Sequence, residues 1–414
     1  MKTTKHNITN TAEPIKPGYK KTPVGVIPED WEVKRIKSVA DVIGGGTPST
    51  TEVKYWNGNI NWFTPSEIKG KFVSKSERKI TKAGLKNSSA KELPIGTILL
   101  TTRATIGEVS LSTEISTTNQ GFQSLVCKNG TNNVFLYELI KFNKNELYRR
   151  ANGSTFLEIS GKEVRKIPLA IPPLPEQKAI ADCLSTWDKG IEKLSALIAF
   201  KKEQKKGLMQ GLFSGKLKVE NGELVKVEDE KLWLKGWKEV LLKTISTITK
   251  GKQLNRSELN EADKYPSYSG GITPSGYTDK YNCDANTIII SEGGNSCGYV
   301  NFIDVDFWLG GHCYSVENNA KKMNKNFLYN ILKYNEPKIM RLRVGSGLPN
   351  VQKGDLEKFK LKVPSLKEQT EIAEVFNAAN KEIELLEQKL ESYKTQKKGL
   401  MQVLLTGEKR LVDS

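Results

Sequence analysis

The chain has 414 residues, with 64 Lys+Arg against 47 Asp+Glu for a formal net charge of +17, so its length predicts two to four domains and its charge favours a polyanionic partner, most simply nucleic acid. Hydrophobic residues make up 37% at a mean hydropathy of −0.47, enough for real cores, yet the apolar runs fall far short of the ~20 residues of a membrane span. Two histidines, and five cysteines with no C-x-x-C pair, argue against a zinc site, a disulfide framework or histidine-based catalysis.

In chain order, residues 1–20 form an N-terminal extension with charge and proline where a signal peptide needs an apolar centre, which leads us to expect a cytoplasmic protein with no membrane partner. Residues 21–175 form a first module of mixed α/β character, punctuated by turns such as Gly44-Gly-Gly46 and with a β-rich run at 96–102. Its basic residues Lys69, Lys71, Lys75 and Arg78 interleave with Trp62, Phe63 and Phe72, and Arg103 follows the run directly. These are candidate DNA contacts, because lysine and arginine neutralise phosphates while Arg, Asn and Gln can also read base edges. A solvated charged surface is the alternative for any one of them.

From 176 to 215 the spacing changes to that of one long helix. Ile180, Leu184, Trp187, Ile191, Leu194 and Ile198 recur at alternating steps of four and three, a coiled-coil seam. Pro175 suits its first position and Gly215 its end. The polar stretch 216–236 reads as a linker. Residues 237–367 form a second module, again β-rich at 285–291, with Lys252, Gln253, Arg256, Tyr277, Lys280, Arg341 and Arg343 as its candidate DNA contacts. Residues 368–414 are a second helix and tail. Ile372, Phe376, Ala379, Ile383, Leu386 and Leu390 repeat the seam, Ser365 with Glu368 reads as a capping box, and Gly407 marks the end.

The second half rewrites the first. Residues 153–215 match 345–407 without a gap, including Glu176-Gln177 against Glu368-Gln369 and a shared QKKGLMQ at 204–210 and 396–402. Upstream, Trp31 faces Trp237 and Gly107 faces Gly298 at shifted offsets. Two divergent heads on a repeated support is the simplest description, and one-stripe helices this long need a partner, most directly each other. Because QKKGLMQ keeps both charged and apolar residues, Lys205, Lys206, Leu208 and Met209, with Lys397, Lys398, Leu400 and Met401, are candidate partner-docking residues. Catalytic signatures are weak: the single Pro-Pro (172–173) lacks the polar residue and aromatic of a methyltransferase tetrapeptide, no phosphate-cradling GxxxxGK[ST] occurs, and Glu67-Ile-Lys69 lacks an upstream acid. We expect no active site in this chain.

The residues that carry a resemblance are Ile27-Pro-Glu-Asp-Trp31-Glu-Val, Thr102-Arg-Ala-Thr-Ile-Gly107, Thr118-Asn-Gln-Gly-Phe122, Gly153-Ser-Thr, Ile171-Pro-Pro-Leu-Pro-Glu-Gln177, the paired QKKGLMQ helices, Gly276-Tyr-Thr-Asp-Lys-Tyr281, and Phe307-Trp with His312-Cys-Tyr. They resemble the specificity subunit of type I restriction–modification systems. Leu309-Gly-Gly311 departs from that pattern, in which a Thr-Asp pair is usual before the histidine. The resemblance implies an α+β chain with a pseudo-two-fold internal repeat, two target recognition domains joined by two long antiparallel coiled-coil helices. It implies that each domain reads one half of a bipartite, asymmetric double-stranded DNA site, and it adds Gln120 to the candidate contacts. The helices would set the spacing and recruit two methyltransferase subunits and restriction subunits. S-adenosylmethionine, ATP and Mg2+ would belong to those partners and none to this chain. A coiled-coil scaffold without sequence-specific DNA binding is the alternative.

Overall fold

A computed structural model of the chain describes residues 15–153, 157–229, 236–345, 347 and 349–411. Residues 1–14 of the N-terminal extension, Ser154-Thr155 of the Gly153 motif, residues 230–235 of the linker and 412–414 of the tail lie outside the described residues. The chain divides into two compact units: the first comprises residues up to Lys193 together with Leu390 onward, and the second comprises Leu194–Lys389.

The two seams form continuous helices, Leu174–Ser214 and Leu366–Leu405, and each contributes a segment to both units. Both start within two residues of the expected positions, Pro175 being the second helical residue of the first helix. Both end at glycines in the left-handed region, Gly215 at φ 83° and Gly407 at φ 77°. A side chain at Gly407 would also meet Pro28, whose Cδ lies 2.4 Å from the place of a Cβ. Every one of the twelve seam residues is buried or half-buried.

In the first unit the start of one helix packs beside the end of the other. Ile180, Ala181 and Leu184 share a core with Leu404 and Leu405, and Trp187 meets Tyr393 edge-on at 5.4 Å. The pairing is antiparallel. A five-stranded sheet in the order Ala40–Gly44, Gln123–Cys127, Ile98–Leu100, Val109–Ser112, Phe72–Val73 packs against the helix Asn133–Phe142. A smaller sheet carries Trp56–Phe63 between Ser116–Thr118, which is parallel to it, and Arg78–Ile80, which is antiparallel.

The second unit repeats this plan with one strand fewer among the described residues. Its main sheet runs Ser246–Lys250, Cys313–Asn318, Thr287–Ser291, Val300–Ile303, and the helix Lys325–Tyr334 covers it. In its small sheet, Tyr265–Tyr268 lies between parallel Trp308–Leu309 and antiparallel Gly276–Thr278. Here the end of the first helix meets the start of the second, Phe213 stacking on Phe376 at 5.8 Å, and Lys201 and Lys202 pair with Glu382 and Glu387.

Two expected boundaries need correction. The stretch 216–236 includes a hairpin, Leu217–Glu220 with Glu223–Lys226, turned at Asn221-Gly222 with both residues at positive φ. Its Leu217 and Val219 pack into the core of the second unit, so it is a folded part of that unit. The N-terminal extension likewise ends early, because Tyr19–Thr22 pairs with Gly25–Pro28 and the Tyr19 hydroxyl donates to Gly407 O at 2.9 Å. Alternating Lys and Val residues with an Asn-Gly centre are polar enough to read as a linker, but burial of Val219 decides the outcome.

Candidate nucleic-acid interface

In each unit the ends of three chain segments converge beside the small sheet. In the first, Thr102 N–H donates to Gly121 O, Gly46 N–H donates to Thr118 O, and the Thr47 hydroxyl bonds Gln120 Oε1. In the second, Glu292 N–H donates to His312 O and Lys252 N–H to Leu309 O, while Gly311 sits against Gln253. Matching hydrogen bonds pair the positions: Gly46 with Lys252, Thr102 with Glu292, Thr118 with Leu309, Gly121 with His312.

The glycines permit this convergence. A Cβ at Gly45 would stand 2.0 Å from Asn119 O, and one at Gly251 2.2 Å from Gly310 O, so any other residue would push the segments apart. Each loop is held by an indole. Trp62 Nε1–H donates to Gly46 O at 2.9 Å, and Trp308 Nε1–H donates to the matching Lys252 O at 2.9 Å. The two tryptophans sit on opposite strands of the same cross-strand pair, since Trp62 faces Thr117 whereas Ser267 faces Trp308. A cation covers each ring: Arg78 lies 5.4 Å from the Trp62 centroid and 3.6 Å from that of Trp56, and Lys280 lies 5.5 Å from that of Trp308.

The structure therefore gathers Lys252, Gln253 and Lys280 around Trp308, with Arg256 on the turn whose Glu258 pairs with Lys280 at 2.7 Å. Tyr277 is half-buried on the neighbouring strand. Arg341 and Arg343 are exposed on the segment that leads to Val344, whose partner Asn350 also pairs with Gly293. In the first unit Gln120 and Arg103 lie at the same convergence. Arg103 is exposed but pairs with Glu158 at 2.8 Å. Lys69, Lys75 and Arg78 are exposed, and Arg78 is the one that lies on the small sheet.

Residues at matched positions differ sharply in chemistry. Gly44, Thr102 and Gln123 stand in the first unit where Lys250, Glu292 and Tyr314 stand in the second. Glu292 is buried and accepts from Lys250 Nζ and the Tyr314 hydroxyl, both at 2.7 Å. Burial pushes its carboxyl up, and the hydrogen bonds from Lys250 and Tyr314 outweigh that and hold it below the ordinary value.

Several sequence-level expectations are corrected. Lys71 is largely buried and bonds Glu138 at 2.9 Å and Asp188 at 2.7 Å, so its charge is spent inside the first unit. Lys397 joins the same cluster at 2.5 Å from Asp188, a placement that removes it from a docking surface. Leu400 and Met401 pack against the core of the first unit, and Leu208 and Met209 against that of the second. Lys206 and Lys398 remain exposed and Lys205 is half-buried. The capping box is half formed: Ser365 Oγ accepts from Glu368 N–H, but the Glu368 carboxylate takes the Trp237 indole N–H. Its counterpart Glu176 takes that of Trp31. The repeated tryptophan and Glu-Gln motifs thus seat each module on a long helix.

Residues 28–199 and 234–394 match the family described as type I restriction modification DNA specificity domain. The MjaIX specificity subunit of a type I restriction enzyme from Methanocaldococcus jannaschii is 30% identical over 372 residues, 84% of this chain and 86% of its own. The EcoprrI specificity subunit from Escherichia coli is 26% identical over 83% of this chain and 86% of its own. Among solved structures, a type I S subunit from M. genitalium superposes with a TM-score of 0.58 at 20% identity, covering 90% of this chain and 96% of that one.

Proposed function

Because the chain belongs to the type I restriction–modification DNA specificity family, we propose that each of its two modules reads one half of a bipartite, asymmetric duplex DNA target on behalf of partner subunits. The loop convergence beside each small sheet is the reading surface. The exposed Lys252, Gln253 and Lys280 around Trp308, and Arg78, Arg103 and Gln120 in the first unit, contact DNA there. The long helices fix the gap between half-sites and recruit methyltransferase and restriction subunits. Those partners supply the catalysis and bind S-adenosylmethionine, ATP and Mg2+, and this chain has no catalytic role.

One observation carries the reading. Two frameworks that share all but one strand of their main sheets hold unlike residues at matched positions, Gly44, Thr102 and Gln123 against Lys250, Glu292 and Tyr314. A repeated scaffold that ignored sequence would have no use for such divergence at one edge of an otherwise repeated fold. The test is exchange of residues 30–150 for another recognition module, followed by sequencing of methylated sites in the host. One half of the modified motif should change, with the gap and the other half retained. If both halves change together, the modules do not read separately. Affinity for duplex DNA should also fall steeply with salt, by a slope of about −0.9 per neutralised phosphate, whereas a protein scaffold would show weak, salt-insensitive retention.

A further inference from the structure

The repeat is broken at one ion-pair cluster, and the break leaves a lysine without a counter-charge among the described residues. In the first unit Lys397 Nζ lies 2.5 Å from Asp188 Oδ1 and 3.5 Å from Glu138 Oε2, and Lys71 closes the cluster from the other side. Two cations there face two carboxylates, and Glu138 is fully buried. The constant register puts Lys205 at the place of Lys397, Asn380 at that of Asp188 and Asn330 at that of Glu138. Lys71 has no counterpart, because the strand after it, Phe72–Val73, is the one missing from the second sheet.

Lys205 is therefore half-buried with neither acid beside it, and it has no hydrogen-bond or ion-pair partner among the described residues. Burial, and then the charge of Lys333, pulls its ammonium below the ordinary lysine value. Lys333 is already committed, to Glu336 at 2.6 Å, to Val300 O at 2.9 Å and to the face of Tyr299. The second orphan is Asn330, 1% exposed, which donates Nδ2–H to Asn326 O while its Oδ1 accepts no hydrogen bond from the described residues. A desolvated cation and a buried acceptor without a donor are each costly to leave so.

We infer that Lys205 is the cation of an open carboxylate site in the second unit, filled by an aspartate or glutamate side chain of a methyltransferase subunit. The inference rests on the recruitment proposed above. In the filled site the ammonium spans the incoming carboxylate and Asn330 Oδ1, as Lys397 spans Asp188 and Glu138. In the first unit the lysine at this position is met by side-chain carboxylates, which shows the kind of group its ammonium takes up. A single cation asks for a single negative charge, which suits a side chain better than a DNA backbone that draws on rows of exposed lysines. The neighbouring sheet edge is closed to strand addition, since Val300 N–H is taken by Glu336, Val300 O by Lys333 and Phe302 N–H by Asn301. The partner thus arrives by a side chain.

The test uses the full-length chain and the methyltransferase subunit of its own system, with stoichiometry and affinity read by native mass spectrometry and sedimentation. Lys205→Met should weaken one of the two bound subunits by about tenfold or more, the scale of a charge-assisted hydrogen bond, while Lys205→Arg retains binding. Asn380→Asp, which supplies the carboxylate from within, should cause the same loss in a chain that unfolds at higher urea. Both variants binding two subunits as the parent does would overturn the inference and leave recruitment intact. A parent chain that binds no methyltransferase subunit would overturn the recruitment reading and this one with it. Lys205→Met weakening retention of a duplex oligonucleotide, with subunit binding unchanged, would assign the lysine to DNA phosphate and also overturn it.

Discussion

Glu176 and Glu368 hold matched positions and accept matched indoles, yet their electrostatics are opposite. Glu176 is fully buried and receives Arg410 Nε at 2.6 Å, while the same guanidinium bonds Asp30. Glu368 has no cation paired with it among the described residues: burial raises its carboxyl above 4.5, and Glu371 adds to this against the Trp237 hydrogen bond. An acid with a raised folded pKa holds a proton in the native state that the unfolded chain has already lost. Its contribution to stability is therefore full below about 4.5 and declines as pH rises through the folded value. Asp188 has the reverse sign, because burial is outweighed by Lys397 and Lys71, so its contribution is present above 3.8 and is lost as pH falls through the lowered value. Glu176→Gln should accordingly cost the first unit about 3 kcal/mol by stranding part of the Arg410 charge. Glu368→Gln should cost the second unit nothing near neutrality and flatten its pH dependence above 4.5. Urea midpoints at pH 5 and pH 8 decide both, and a loss of stability in Glu368→Gln at pH 8 would refute the sign assigned to that carboxyl.

At the scale of elements, the glutamine of each Glu-Gln pair ties a long helix to its module. Gln177 Oε1 accepts from Asn132 N–H and its Nε2 donates to Gly130 O and Pro172 O. Gln369 does the same with Asn324, Lys322 and Pro364. Asn132 and Asn324 are in turn the N-caps of the helices that cover the two main sheets. Alanine at either glutamine strands a backbone N–H and two carbonyls and should cost about 2–3 kcal/mol. Hydrogen exchange should show the loss confined to the unit concerned. What was readable beforehand follows from the range of the forces involved. The long helices are legible because their seam recurs every three or four residues and their ends carry glycines suited to positive φ. The strands at 98–100 and 287–291 are legible for the same local reason. The Asn221-Gly222 hairpin had a local signal too, and the charge around it masked it. Lys71 is different: its partners Glu138 and Asp188 lie 67 and 117 positions away. Nothing in the run Lys69–Arg78 distinguishes the lysine that folds inward from the two lysines and the arginine that face solvent. Tertiary burial alone makes that choice, and the same holds for Trp308, whose role repeats that of Trp62 from the opposite strand.

For the whole molecule, the consequence of sharing both helices between units is that sequence order and structural order part company. The first unit begins near the N-terminus but is completed by Leu404, Leu405, Lys397 and Arg410, supplied after the second unit has been traversed. The second unit, Leu194–Lys389, takes all its segments from one continuous stretch. A chain ended after Lys389 therefore keeps every residue of the second unit and strips the first of the helix end that covers Ile180 and Leu184. Removing two buried leucines alone exposes apolar surface worth about 2–5 kcal/mol each, before the unpaired charge of Glu176 is considered. Against a typical stability of 5–15 kcal/mol for a domain, that is enough to unfold the first unit. The truncated chain should lose backbone protection over residues 19–193 in hydrogen-exchange mass spectrometry and retain it over 237–389. Supplying residues 390–414 as a separate peptide should restore protection to the first unit in a concentration-dependent way, since the missing helix end is then a ligand that binds only the folded form. Protection over 19–193 that survives the truncation would mean that the module closes its own core without the second helix.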